Sequence, residues 1–109
     1  MKQHKSKALA IKICGIKSPA IALSAANHGA SHIGMVFHPP STRHTNTMTA
    51  QSIVTATRLG GAIPVGVFVN QTAKEMMLLC QTINLKTVQL HGTIARKNHR
   101  ELPSDIVRI

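Results

Sequence analysis

Short apolar runs alternate with capped, amphipathic stretches along the whole chain. The first run, Ala8 to Cys14, is rich in Ile, Leu and Ala, and its near-continuous apolarity predicts a parallel strand covered on both faces. Ser18 then offers a helix cap and Pro19 a first helical residue, with Gly29 as a left-handed stop. Between them Ile21, Ala22, Ala25 and Ala26 form a small apolar face suited to lying close against a sheet. A second strand reads from His32 to Phe37 and ends in the loop "HPPSTRH", stiffened by Pro39 and Pro40. Asn46 caps a helix running to about Leu59, closed by Gly60 and Gly61, and a third strand follows from Ile63 to Asn70.

The clearest local signal is "TAKE", where Thr72 and Glu75 stand at capping-box spacing and Met76, Leu79, Cys80 and Ile83 recur with a helical period. Cys80 is therefore expected on a core stripe. A fourth strand, "TVQL", ends at His91 and Gly92; a polar helical piece from Ile94 to Leu102 and a fifth strand in "DIVRI" complete the series. The alternation repeats every 25 to 30 residues or so, the size of a βαβ unit. It predicts an α/β fold that is either an open doubly wound sheet or part of a (β/α)8 TIM barrel. An open dinucleotide-binding sheet would place G-x-G-x-x-G after its first strand, whereas "CGIKSP" has a single glycine. In a barrel, chemistry gathers at the C-terminal ends of the strands, and four such ends carry Cys14, the loop of His38 and Arg43, Asn70, and His91. The barrel is favoured, with four to five βα units in a single domain over residues 8–109 and a basic tail over residues 1–7.

Composition narrows the function classes. With 109 residues, 43% hydrophobic and 15% charged, the chain supports one globular domain. Its aromatic residues are Phe37 and Phe68, so the core must be built from aliphatic side chains and methionine. Thirteen Lys and Arg against three acidic residues give a formal charge of +10, which favours nucleic acid, anionic membrane or phosphorylated small molecules as partners. Nucleic acid ranks last. Lys2, Lys5 and Lys7 in the tail and Arg96, Lys97 and Arg100 form two clusters without interleaved aromatics or a recognition-helix pattern. The uncharged stretch between Lys17 and Arg43 is broken by Pro19, Asn27, His28, Gly29 and His32, too early for a membrane span. Lys12 interrupts the opening apolar run, which argues against a signal peptide, and two cysteines without framework spacing point to a reducing, cytoplasmic setting.

Taken residue by residue, Cys14 reads either as a buried, inert thiol or as a reactive one at a strand end. Arg43 is a solvated loop residue or a ligand contact, and His91 lines a pocket or makes a structural hydrogen bond. Asn70 and Gln89 carry weaker signals. His28 and His32 have helical ligand spacing, but Gly29 falls between them, and no carboxylate or second cysteine stands near; no metal site is expected.

Four motifs in register change this picture. "KICGI" at the first strand, "GMVFHPPSTRH" at the second, "VGVFVNQT" at the third and "VQLHG" at the fourth closely resemble the phosphoribosylanthranilate isomerases, (β/α)8 barrel enzymes of tryptophan biosynthesis. The resemblance runs from about Ala8 to Gly92 and implies a cofactor-free Amadori rearrangement of N-(5-phosphoribosyl)anthranilate, an intramolecular aldose–ketose isomerisation. It assigns Cys14 as the general base and Arg43, in "STR", as a substrate contact; His91 is a further candidate substrate contact at its strand end. The family's general acid, an aspartate on a later strand, and its glycine-rich phosphate loops have no counterpart before Ile109. Asp105 precedes the fifth strand and is on the wrong side to replace that acid.

The resemblance thus covers the N-terminal half of such an enzyme, a half-barrel expected to be inactive alone. Open layers and two unpaired edges would call for a second copy or a complementing C-terminal half. The helices "SPAIALSAANHGAS" and "NTMTAQSIVTATR" lack the acidic residues common in the family, and His38 and Pro40 stand where tyrosine or lysine is usual. Three function classes remain: an isomerase-like half-barrel, a non-catalytic association module and a basic nucleic-acid binder.

Overall fold

The structure is a computed structural model and describes residues 10–109; the expected basic tail, Ala8 and Leu9 lie outside the described residues. Five strands form one parallel sheet in chain order: β1 (Lys12–Cys14), β2 (His32–Val36), β3 (Ile63–Phe68), β4 (Thr87–Leu90) and β5 (Val107–Arg108). Helices α1 (Pro19–Asn27), α2 (Thr47–Leu59), α3 (Ala73–Thr82) and the short α4 (Thr93–Lys97) fill the crossovers, with a 3-10 turn at His99–Glu101. A doubly wound sheet reverses its strand order at a switch point. This sheet keeps the order 1-2-3-4-5 without reversal, as a barrel wall does.

Local chemistry sets the helix boundaries. The Ser18 hydroxyl accepts from the Ile21 amide at 3.4 Å, and the Asn46 side chain accepts from Thr49 at 2.8 Å. At α3 the capping box is complete: the Thr72 amide donates to Glu75 Oε1 at 2.8 Å and the Glu75 amide to Thr72 Oγ1 at 3.2 Å. Behind this cap Met76, Cys80 and Ile83 are buried as their spacing predicts.

The sheet has two chemically different faces. Ile33, Met35, Phe37, Phe68 and Val88 are buried in the layer shared with the helices, where the Phe37 and Phe68 rings stack with centroids 5.4 Å apart. Pleat alternation sends Lys12, Cys14, Val36, Val67 and Gln89 to the other, concave face. At the far end the Arg108 guanidinium donates to the carbonyls of His99, Leu102 and Ile106, clamping the turn that precedes β5.

Two expectations are corrected. The first strand is not covered on both faces: Ile11 is 44% and Ile13 39% exposed, because β1 has a sheet neighbour on one side alone among the described residues. Ile21 does not face the sheet but is 56% exposed. The buried line of α1 is Ala22 and Ala26, one turn apart, and a residue at 21 points roughly 100° away from it. That line meets α2 closely, since a Cβ on Gly60 would lie 2.5 Å from the Ala26 methyl.

Candidate functional site

The C-terminal strand ends converge on one open cleft of about 390 Å³ on the concave face. Cys14 and Lys12 line it from β1, Val36 and Val67 from the middle strands, and Gln89 and His91 from β4 and its end. Lys12 and Cys14 are two apart on one strand and so share a face. Cys14 is exposed. Its sulfur sits over Gly34 on the adjacent strand, where a Cβ would be 3.1 Å from Sγ, so the missing side chain of Gly34 is the space the thiol occupies. Cys80 is different in kind: burial on the core face of α3 pushes the pKa of its thiol up to about 11, and it is a packing residue.

Three backbone and side-chain ties hold the strand ends in place. The Gly15 and Ile16 amides both donate to the Gly34 carbonyl, at 3.0 and 3.1 Å, a tight turn that needs the φ of +81° adopted by Gly15. The Thr45 amide donates to the Val36 carbonyl at 2.9 Å, returning the β2–α2 loop to its strand. Gln71 donates through Nε2 to the Phe37 carbonyl while its Oε1 accepts from the Val69 amide at 3.0 Å, joining the ends of β2 and β3.

His91 reaches the cleft because its amide donates to the Phe68 carbonyl at 2.8 Å, and its imidazole makes no hydrogen bond among the described residues. Gln89 also lines the cleft and keeps Oε1 buried without a hydrogen-bond partner. Arg43 is not a lining residue. It stands on the rim, exposed, with its side chain packed over Gly15. Asn70 is exposed and lines no part of the cleft. On the β2 side His38, the strand-end candidate expected from the sequence, and Ser41 line the cleft as well; neither Lys12 nor Ser41 stood out as a candidate in the sequence. Strand alternation counted back from Cys14 would have found Lys12; a loop serine carries no such signal.

The charge of the cleft is one-sided. Lys12 lines it, Arg43 packs over Gly15 next to Cys14, and none of the three acidic residues lines it; Lys17 and His44 line a separate pocket with Thr45, Asn46 and Thr49. Glu75 is engaged in the cap of α3, Asp105 pairs with Lys86 at 3.5 Å ahead of β5, and Glu101 lies on the 3-10 turn. The cleft therefore offers a thiol, the imidazoles of His38 and His91, and the Lys12 ammonium, a set that can hold an anionic ligand and accept a proton from it. Among the described residues no group of three or more His, Cys, Asp or Glu is placed to hold a metal ion, and no helix is long and apolar enough to cross a membrane.

Comparison with known proteins gives the same frame. Residues 11–109 match the family model for N-(5'phosphoribosyl)anthranilate (PRA) isomerase. The N-(5'-phosphoribosyl)anthranilate isomerase of Chlamydia felis is 42% identical over 95 residues, covering 87% of this chain and 46% of that protein. A dimeric phosphoribosylanthranilate isomerase of Thermotoga maritima, solved as generated monomers, superposes with a TM-score of 0.73 at 32% identity, covering 86% of this chain and 49% of that one. A further phosphoribosyl anthranilate isomerase, solved in complex with reduced 1-(o-carboxyphenylamino)-1-deoxyribulose 5-phosphate, superposes at 0.69 with 30% identity, covering 86% of this chain and 50% of that one. The chain thus spans about half the length of the relatives it matches. With its parallel sheet in barrel order, its strand-end cleft and a family match over nearly every described residue, the chain belongs to the PRA isomerase family.

Proposed function

We propose that this chain supplies the base-bearing side of a PRA isomerase site, acting on N-(5-phosphoribosyl)anthranilate in tryptophan biosynthesis. The observation that carries the reading is the exposed Cys14 thiol, lodged over Gly34 and opening into a cleft shared with His91. In the Amadori rearrangement an acid protonates the ring oxygen and the sugar opens to an iminium at C1. A base then takes the proton from C2, and the released electron pair forms the C1–C2 double bond as the nitrogen is neutralised. Protonation at C1 and loss of the C2 hydroxyl proton then give the aminoketose; two protons are added, at the ring oxygen and C1, and two removed, from C2 and its hydroxyl, with no net gain or loss of atoms or electrons. Cys14, as thiolate, is the base. Arg43 meets an anionic group of the substrate from the rim, and His91 contacts it from the cleft wall. A ligand of that kind, carrying a carboxylate and a phosphate, occupies the relative solved with the reduced deoxyribulose phosphate, and the acid-free, cationic cleft suits its charge.

The acid for ring opening is not found here, since no carboxyl group lines the cleft. We expect turnover by the chain alone to be negligible and to appear on addition of the C-terminal half of a relative such as the Chlamydia felis enzyme. An assay of phosphoribosylanthranilate consumption checks this, and Cys14→Ala should abolish the restored activity. Turnover that survives Cys14→Ala removes the assigned base.

A second reading is favoured by the sheet edges. Ile11 and Ile13 beside β1, and Val107 and Ile109 at β5, are 39–53% exposed, and each edge has one unpaired side among the described residues. Such edges suit completion by further strands, from a second copy or from a complementing half. Light scattering on the purified chain separates the outcomes: a compact monomer removes self-association.

A further inference from the structure

Arg43 has no hydrogen bond or ion pair through its guanidinium among the described residues, so its position depends on how its loop is held. The β1–α1 turn supplies that hold. A Cβ on Gly15 would collide with Arg43 Cδ and stand 3.0 Å from Nη1, so the arginine stem lies in the space that the missing side chain leaves. Two residues on, the Lys17 ammonium donates to the carbonyl of Thr42, the residue before Arg43, at 3.0 Å. The loop returns through Thr45, 3% exposed, whose hydroxyl donates to the Ile16 carbonyl at 3.3 Å. Gly15, Ile16 and Lys17 therefore each touch the 42–45 segment, and the first of them directly follows Cys14.

We propose that Lys17 is a positioning residue for Arg43, latching the Thr42 carbonyl so that the arginine is presented over Gly15 beside the Cys14 thiol. The inference rests on the reading of Arg43 as a substrate contact, yet the latch itself is a statement about the loop. Lys17 lies off the cleft lining and touches no reacting atom; it acts through the peptide next to Arg43. Its two contributions, a hydrogen bond that acts through Arg43 and a nearby positive charge that does not, can be separated by experiment because only the second persists once Arg43 is removed.

The test uses the chain with Lys17→Met, Lys17→Arg and, as a second route, Gly15→Ala. Backbone heteronuclear NOE values over residues 41–44 read the latch without any ligand. Calorimetric titration with reduced 1-(o-carboxyphenylamino)-1-deoxyribulose 5-phosphate reads its consequence. Lys17→Met should lower the NOE of Thr42 and Arg43 and weaken binding by roughly two- to tenfold, the range of one ordinary hydrogen bond. Lys17→Arg should restore both. In an Arg43→Ala background Lys17→Met should cost no further affinity, whereas a general effect of nearby charge would persist there. Unchanged NOE values in Lys17→Met overturn the latch, as does a loosened loop with unchanged affinity. If Arg43→Ala binds this ligand as tightly as the parent chain, the reading of Arg43 as a substrate contact fails while the NOE values still decide for or against the latch.

Discussion

Cys14 and Gly34 occupy one another's space: the sulfur of the first stands 3.1 Å from where the second would carry a methyl group. The two are register partners on adjacent parallel strands, so neither can shift along the sheet independently. Gly34→Ala should therefore displace the thiol while leaving the strand pairing intact. We expect a loss of about 1–3 kcal/mol in denaturant unfolding, typical of overpacking, together with a changed rate of Cys14 alkylation by iodoacetamide. An unaltered alkylation rate would mean that the thiol does not depend on this gap.

The two cysteines should separate cleanly by labelling. Cys14 is exposed and Cys80 is 4% exposed, so brief treatment with a maleimide should modify one thiol per chain, located at Cys14 by peptide mapping. Denaturant should release the second.

Cys80 also makes stability depend on pH in a known direction. Its folded pKa of about 11 lies above the value of 9.0 for an unburied thiol, so the unfolded chain loses this proton first. The contribution is fully present below pH 9 and is lost as pH rises through about 11. The amount at stake is on the order of 2–3 kcal/mol. Unfolding midpoints measured from pH 8 to 11 should fall more steeply for the parent chain than for Cys80→Ala.

Thr57 is fully buried on α2 and its hydroxyl has no hydrogen-bond partner. Thr57→Val keeps the shape and removes the unmet polar atom, so it should stabilise the fold by about 1 kcal/mol and raise Tm by roughly 4–8 °C. A lower Tm would show that the hydroxyl is satisfied in solution.

The capping box gives the opposite sign. Thr72→Ala removes the acceptor for the Glu75 amide and should cost about 1 kcal/mol, measurable by thermal unfolding.

What the sequence made legible was local. Ser18, Asn46 and the Thr72–Glu75 pair cap their helices because capping is a relation among three or four neighbouring residues. The exposure of Ile13 and Ile21 was not legible, because burial depends on which element lies alongside, and an apolar run reads the same at the centre of a sheet and at its edge. The same division holds at the site. Cys14 and His91 could be brought to one end of the sheet by strand direction alone. The bond from Lys17 to the Thr42 carbonyl joins positions 25 apart, through a side chain and a peptide group that leave no pattern in the sequence. Arg43 was visible as a candidate through its motif; its place on the rim and its packing over Gly15 were not.

The order of the strands also bears on how the chain is assembled. Strands that are consecutive in the chain are neighbours in the sheet, and partners such as Cys14 and Gly34, or Thr87 and Val107, are only about twenty positions apart. No strand has to wait for a distant segment before it finds an edge to join. A ribosome releasing this chain from its N-terminus would deliver each βα unit beside a surface already formed, so the thiol end of β1 and the glycine that makes room for it are in place before the histidine of β4 emerges.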